Sequence, residues 1–208
     1  MAQNKTLIRL AVPLQIGVQL LPTLFRDFKN LYPEIELEVV EAGGIDSLRM
    51  IENEELDLAV TNYDDSFSPN LHYRKLFKSE ACFCTYPDHP LAQKKYVDTK
   101  DIANEPLVLL NGGFFVNRLI YQNFQQALTA PKVILHSSQL HTVKNLISSQ
   151  IASSFLMRQA ITASDNIIPL SLKKPLFINS GIVTKRGRQI YGDEQKLIEF
   201  IYDNQPLG

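Results

Sequence analysis

"LIRLAVPLQIGVQLLPTLFRDFKNLYPEIELEVV", Leu7–Val40, is the stretch that decides the fold. Its opening, Leu7–Val12, is a short apolar run and reads as a buried strand. Pro13 stops that strand. Helical spacing follows, with Leu21, Leu24, Phe25, Phe28 and Leu31 on one stripe. Tyr32 precedes Pro33 and so avoids helical angles, which ends the helix. "IELEVVEA", Ile35–Ala42, alternates apolar and acidic residues, the pattern of a strand with one wet face. Strand, helix and strand in that order form a β-α-β unit, which requires parallel pairing and a right-handed crossover.

The alternation continues outward. "GGIDSLRMIENEE" turns and becomes a short helix, and "LDLAVTN", Leu56–Asn62, is a third strand. "LHYRKLFKSEACFCTY" supplies strand material up to "PDHP". A second alternating run follows: strand Leu107–Leu110, helix after "NGG", strand "KVILHS", helix "SQLHTVKNLISSQ" started by Ser137 or Ser138, and strand "IASSFLM". "IIPLSLKKPLFINSGIVTK" is strand material broken by prolines, and "GDEQKLIEFIYDN" closes with a helix. No Gly/Ser-rich linker separates the two runs. The strand segments 81–86 and 177–185 are therefore the expected crossings between two lobes, with the last helix returning to the first. The expected division is 6–83 plus 183–208 for one lobe and 84–182 for the other. Ligands of such α/β bodies sit at the carboxyl ends of the strands.

Composition narrows the function. The 208 residues are 45% hydrophobic and 21% charged, ordinary for a globular chain, and the formal net charge of −1 gives no basic footprint for nucleic acid. Residues 1–103 carry 11 Lys/Arg against 16 Asp/Glu, and residues 104–208 carry 10 against 6, a modest asymmetry that favours an anionic ligand in the second lobe. Cys82 and Cys84 lie two apart on one face of a strand, too distant for an easy bridge, and read as reduced thiols of a cytoplasmic protein. No metal-ligand spacing, signal peptide or membrane-length apolar run is present, and neither a cofactor nor a membrane partner is expected. No HExxH, GxSxG or P-loop string occurs, so no catalytic residue is assigned. The acidic "ENEELD" reads as an exposed helix end, and the basic "TKRGR", Thr184–Arg188, as a solvated loop.

Taken together, "LLPTLFRDFKNLYPEIELEVVEAG", "IENEELDLAV", "DHPLA", "TVKNLISSQIASSFLM" and "GDEQKLIEFI" resemble, in order and spacing, the effector-binding (regulatory) domain of LysR-type transcriptional regulators. The resemblance covers nearly the whole chain. It departs at Gln150-Ile151-Ala152, where the family usually has Gly-x-Gly, and at Met157, where it usually has Pro. It implies an α/β fold of two Rossmann-like lobes, type 2 periplasmic-binding-protein-like, with a ligand cleft between them. It also implies a small-molecule effector, a homodimer compatible with a tetramer in the full-length regulator, and DNA binding through an N-terminal helix-turn-helix. None is readable ahead of Leu7, so this chain is not expected to bind an operator by itself. In the implied antiparallel dimer, the helix at about Gly17–Leu31 of one subunit lies near the helix at about Phe115–Leu128 of the other, with Ile120 and Phe124 as exposed apolar contacts. His89, in "DHP", is implied to be structural. The rivals are a transport-type solute-binding protein, which should show an export signal, and an enzyme on the same scaffold, which should show a phosphate loop or an acid/base cluster.

The effector-binding candidates cluster at helix starts, where free N–H groups and the positive dipole end favour a carboxylate or another anion. In the first lobe they are Pro13, Leu14, Gln15 and Ile16; Gly43 and Gly44; and Thr61 and Asn62. The family resemblance implies that the polar residue at Gln15 touches the effector. Against this stands a plain helix start with Gln15 facing water. In the second lobe the candidates are Asn111, Gly112, Gly113 and Phe114, with Phe115 beside them, and Ser138, Gln139 and His141. Glycines with phenylalanines suit a ligand with an apolar body and a polar head; core phenylalanines and a Ser138 N-cap are the plainer readings. Arg118 and Arg158 are the cations within reach of this region.

Overall fold

The computed structural model describes residues 6–64, 68–111 and 115–205. They form two compact units: one runs to Lys78 and resumes at Asn179, and the other is Ser79–Ile178.

The first unit, unit 1, starts with β1 (Thr6–Ala11), α1 (Leu14–Thr23), a π-helical stretch Leu24–Phe28 and a last turn α2 (Lys29–Leu31). Then come β2 (Ile35–Val40), α3 (Gly44–Glu52), β3 (Leu58–Tyr63) and the start of β4 (Leu71–Thr85). β1 pairs in parallel with both β2 and β3. The second unit, unit 2, continues β4 and adds β5 (Pro106–Leu110), α4 (Phe115–Gln126), β6 (Lys132–Ser137), α5 (Leu140–Ser148), β7 (Ser153–Met157) and β8 (Ile168–Leu170). β9 (Leu176–Lys185) then carries the chain back to unit 1, where α6 (Gly192–Asp203) ends it. The strand order is β2-β1-β3-β9-β4 through unit 1 and β4-β7-β5-β6 through unit 2, with β8 also on β4. β5 runs parallel to β6 and β7, as two β-α-β crossovers demand.

The core of unit 1 explains the long first helix. Ile16, Leu20, Leu24 and Phe28 are all buried, a repeat of four rather than 3.6 residues. In a regular α-helix such a row would drift by about 40° per step. The wider π-helical turn at Leu24–Phe28 takes up that drift. Pro22, lacking an N–H, removes one helical hydrogen bond just ahead of it. The same re-phasing corrects the expected stripe, because Phe25 (54% exposed) and Leu31 (63%) face solvent. Leu197, Ile198, Phe200 and Ile201 of α6 complete this core.

In unit 2, Phe83, Phe124 and Phe155 pack edge to face, with ring centroids 5.9 Å (Phe83–Phe155) and 6.4 Å (Phe124–Phe155) apart. Phe124 and Ile120 are therefore core residues and not the exposed apolar contacts expected on α4; the outward side of that helix carries Arg118, Tyr121, Gln122 and Gln125. Phe115 is buried too. Cys82 and Cys84 are free and buried on β4; burial pushes the Cys82 thiol up to about 12 and raises Cys84 as well, so neither forms a ready thiolate.

Three helices end alike. After α3, α4 and α5, the residues Glu54, Leu128 and Gln150 take φ of 61°, 56° and 60°. Each donates its N–H back to the carbonyl three residues earlier, of Ile51, Gln125 and Ile147 respectively. The next residue donates to the carbonyl five back, as Ile151 does to Leu146 at 3.1 Å. These are Schellman ends with a side chain where glycine is the usual resident. Gln150 is also where the sequence departs from Gly-x-Gly. A left-handed conformation costs a non-glycine residue about 1–2 kcal/mol, and glycine returns part of that as unfolded-state entropy. Gln150→Gly is accordingly expected to stabilise the protein by about 0.5–1 kcal/mol in urea denaturation. A destabilised variant would show that the Gln150 side chain makes compensating contacts.

Candidate functional site

In unit 1 the carboxyl ends of three parallel strands come level. The register puts Ala11 beside Val40 and Ala59, and Val12 N–H continues the ladder to Val40 O at 3.0 Å. Each strand then delivers one of the expected groups: Pro13–Ile16 after β1, Gly43–Gly44 after β2, and Thr61–Asn62 at the end of β3.

Pro13 is the N-cap of α1, with extended backbone and no side-chain cap. The helix begins at Leu14 and not at Gly17. Ile16 and Gly17 both donate to Pro13 O, at 3.0 and 2.8 Å, so the Ile16 N–H is not the open donor expected of it. Gln15 is only 2% exposed, which overturns the picture of a helix-start residue facing water. A buried primary amide must satisfy up to four hydrogen-bonding positions, so its orientation is fixed by its surroundings. Leu14 is partly buried beside it.

Gly43 caps α3 and Gly44 is its first residue. The cap has no side chain, and Ser47 secures the turn by donating its N–H to Gly43 O (2.8 Å) and its hydroxyl to Ala42 O (3.3 Å). Thr61 and Asn62 are buried polar residues on β3. They pair across the ladder with Gly181 and Ser180 of β9, and Asn62 Nδ2 donates to Ser180 Oγ at 2.8 Å. Gly181 admits no side chain, since a Cβ there would lie 2.5 Å from the Arg74 carbonyl oxygen.

In unit 2 the corresponding strand ends are those of β5 and β6. Leu110 pairs with Ser137, and Asn111 N–H donates to Ser137 O at 2.9 Å, so Asn111 and Ser138 leave the sheet side by side. Asn111 is exposed. Gly112, Gly113 and Phe114 lie outside the described residues. The N-cap of α5 is Gln139, correcting the expected serine cap: Ser137 Oγ accepts from Gln139 N–H at 3.1 Å, while Ser138 stays exposed. Gln139 Oε1 in turn accepts from Thr142 Oγ1 (2.9 Å). His141 is exposed, with Asn145 Nδ2 3.0 Å from its Nε2.

Asn117 does what none of these candidates does. Its buried amide donates to Leu110 O at 2.7 Å and Asn111 O at 3.0 Å, tying α4 to the end of β5. The sequence signal was a polar residue on the same helical row as Ile120 and Phe124.

The other charged groups serve structure. Arg158 Nη2 and Nε hold Glu80 Oε2 at 2.7 and 3.0 Å, so it is no free clamp for a ligand carboxylate. Arg118 lies over the Phe115 ring, 5.3 Å from its centroid. The basic "TKRGR" run is largely committed to carboxylates: Lys185 pairs with Glu54, and Arg188 with Asp57 (3.1 Å) and Glu194. Asp57, part of the acidic run expected to be exposed, is buried and also binds Arg9. His89 is buried; Leu91 N–H donates to its Nδ1 (3.1 Å), which leaves Nε2 to donate to Glu105 Oε2 (3.0 Å). That pins the segment after β4. Among the described residues no group of three or more His, Cys, Asp or Glu side chains could hold a metal, and no helix is long and apolar enough to cross a membrane.

Parallel strands that end in helix starts and buried polar residues, repeated in two units, define an α/β domain of the type 2 periplasmic-binding-protein-like class. Residues 2–205 match the LysR substrate binding domain, and the chain belongs to that family. Among curated relatives, the transcriptional dual regulator GltC of Bacillus subtilis (strain 168) is 25% identical over 203 residues, which span 93% of this chain and 66% of that protein. The HTH-type transcriptional regulator MetR of Salmonella typhimurium is 30% identical over 106 residues, 51% of this chain and 33% of that one. The chain thus spans two thirds or less of the length of these relatives, which are named as regulators and not as enzymes. Among solved structures, the regulatory domain of Synechocystis PCC6803 CcmR in complex with 2-PG superposes with a TM-score of 0.85 at 19% identity, covering 95% of this chain and 96% of that one. The effector binding domain of QuiR in complex with shikimate gives 0.80 at 20% identity, covering 95% of each. Both likenesses are of fold.

Proposed function

We propose that this chain is the ligand-sensing part of a bacterial LysR-type transcriptional regulator, and that a small-molecule effector binds at the strand carboxyl ends. The observation that carries this reading is the buried polar set of unit 1: Gln15, Thr61, Asn62 and Ser180, gathered where the parallel strands end. Such groups are tolerated where hydrogen bonds fix them, as Asn62 and Ser180 fix each other, and fixed polar groups at strand ends are suited to orienting a ligand. The helix starts at Leu14 and Gly44 add N–H donors that favour a carboxylate or another anion. The QuiR and CcmR domains, which share this fold, form complexes with shikimate and 2-PG, and this supports a small anionic metabolite. In unit 2 the same role falls to Asn111, Gln139, Ser138 and His141, with Gly112, Gly113 and Phe114 as further candidates.

In a full-length regulator, effector occupancy changes DNA affinity only if the effector binds two arrangements of the protein with different strength. The same reading places the protein in the cytoplasm as a homodimer. Exposed Val18, Phe25 and Leu31 on the first helix, and Ile134 and Leu135 on β6, suit such an interface. Sedimentation that shows only monomer at high concentration would remove the dimer from it.

A thermal-shift screen against small carboxylates and phosphate esters tests the effector site. A true effector raises the melting temperature by mass action. Gln15→Ala is expected to weaken that effector by about fivefold to tenfold, the worth of one lost hydrogen bond. Asn111→Ala tests unit 2 separately. An effector bound equally well by both variants would place the site elsewhere.

A further inference from the structure

One concavity lies away from all of these groups. It has a volume of about 350 Å³ and is lined within unit 2 by Val97–Lys100, by Asn123, Gln126 and Ala127 at the far end of α4, and by Leu172–Lys174. Over its 12 residues, α4 carries the chain ~18 Å away from its own start at Phe115. The walls are tied together: Val97 N–H donates to Ser171 O at 3.0 Å, and Lys173 N–H to Val97 O at 2.8 Å. Val97, Thr99 and Leu172 are buried beneath.

The side chains around it are mostly donors. Lys94, Lys144, Lys185 and Lys196 each find a carboxylate. The ammonium groups of Lys100, Lys173 and Lys174 make no hydrogen bond or ion pair among the described residues, yet all three line this one concavity. The lining carboxylate is Asp98, whose Oδ1 accepts the Lys100 N–H at 3.2 Å. Asp101 nearby feels the charge of Lys173, but it is already held by Lys94 (3.0 Å) and by the Asp98 N–H (2.9 Å). Thr99 donates its hydroxyl to Asn123 Oδ1, which leaves the Asn123 Nδ2 hydrogens as the open side of that amide. The carbonyl end of α4 offsets about half a unit charge. Three lysines against one aspartate therefore leave an excess of about +1.5. Lys100, Lys173 and Lys174 stand at its exposed rim, and like charges gathered there repel unless something negative joins them.

We propose that this hollow is an accessory binding site for a small multivalent oxoanion, of which phosphate is the simplest. The ammonium groups of Lys100, Lys173 and Lys174 supply the charge, and Asn123 Nδ2 supplies a directional donor. The site is independent of the strand-end effector site.

The test uses the intact chain and inorganic phosphate, with chloride at matched ionic strength as reference. Phosphate should raise the melting temperature saturably and shift the amide NMR signals of Lys100, Asn123, Lys173 and Lys174, where chloride does neither. The double variant Lys173→Gln/Lys174→Gln should keep its melting temperature without phosphate and lose at least about tenfold in phosphate affinity, because charge-assisted hydrogen bonds are the strong ones. Lys75→Gln/Lys132→Gln removes the same charge elsewhere and should lose about twofold or less through screening. Gln15→Ala should leave phosphate binding unchanged, which separates this site from the effector reading. A non-saturable response, or equal losses in the two double variants, overturns the proposal.

Discussion

Phe28→Ala should lower the unfolding free energy by about 3–5 kcal/mol, while Phe25→Ala, three residues earlier on the same helix, should cost less than about 0.5 kcal/mol. Phe28 is fully buried, with its ring centroid 5.1 Å from Tyr32 and 5.2 Å from Phe200. It joins the first helix to α6, so its removal leaves a cavity walled by two elements from opposite ends of the sequence. Phe25 differs only in its phase on the π-helical turn, which turns it to solvent. Urea denaturation of both variants checks the contrast. Similar losses at the two positions would mean that the helix keeps regular α-helical phase and the wide turn is wrong.

Asp57→Asn should cost about 2–3 kcal/mol at neutral pH, with a loss that depends on pH. Asp57 accepts from Arg9 N–H at 2.8 Å, Arg9 Nε at 3.2 Å and Arg9 Nη2 at 3.0 Å, and from Arg188 Nη2 at 3.1 Å. Neutralising it leaves two guanidinium groups facing one amide, with Glu194 left paired to Arg188. The figure lies below that of a fully buried pair because the Arg9 side chain is 39% exposed and water screens it. Burial pushes the Asp57 carboxyl upward, but the hydrogen bonds from Arg9 and the charge of Arg188 outweigh it and hold the group below the usual carboxylate range. A depressed folded-state value contributes stability above the unfolded value of about 3.9, and that stability is lost as pH falls through the folded one. The difference between wild type and Asp57→Asn should therefore shrink steadily below about pH 4. A difference that stays constant from pH 7 to pH 3 would show that the loss is steric and not ionic.

The alternation of strands and helices was legible because it is local. Apolar runs, acidic alternation and helical spacing each occupy fewer than 15 residues, and order alone then dictated parallel pairing. The phase of the first helix was not, because a stripe drawn at 3.6 residues takes in Phe25 and Leu31. The true row, Ile16-Leu20-Leu24-Phe28, announces itself only as a repeat of four next to Pro22. For the site, residue positions were readable and burial was not: Gln15 sits where the junction demanded, but sequence does not say which side of a junction faces inward. The ion-pair network has a signal in the sequence. Arg9 interrupts the apolar run of β1, and Asp57 immediately precedes the apolar start of β3, two strands that pair in parallel. Opposite charges placed in adjoining buried strands are there to meet.

Unit 1 is assembled from both ends of the chain, and this fixes an order of events on the ribosome. Residues 79–178 form one unit continuous in sequence and so leave the exit tunnel as a single block. Residues up to 78 emerge first but must wait. The place between β3 and β4 stays vacant until β9 arrives, and Phe28 lacks Phe200 until α6 is made. At ~5–20 residues per second the wait until α6 is complete lasts about 6–25 s, with the apolar side chains of Ile8, Leu10 and Leu24 still lacking their α6 partners. Of the two units, the one begun first is the last to be finished.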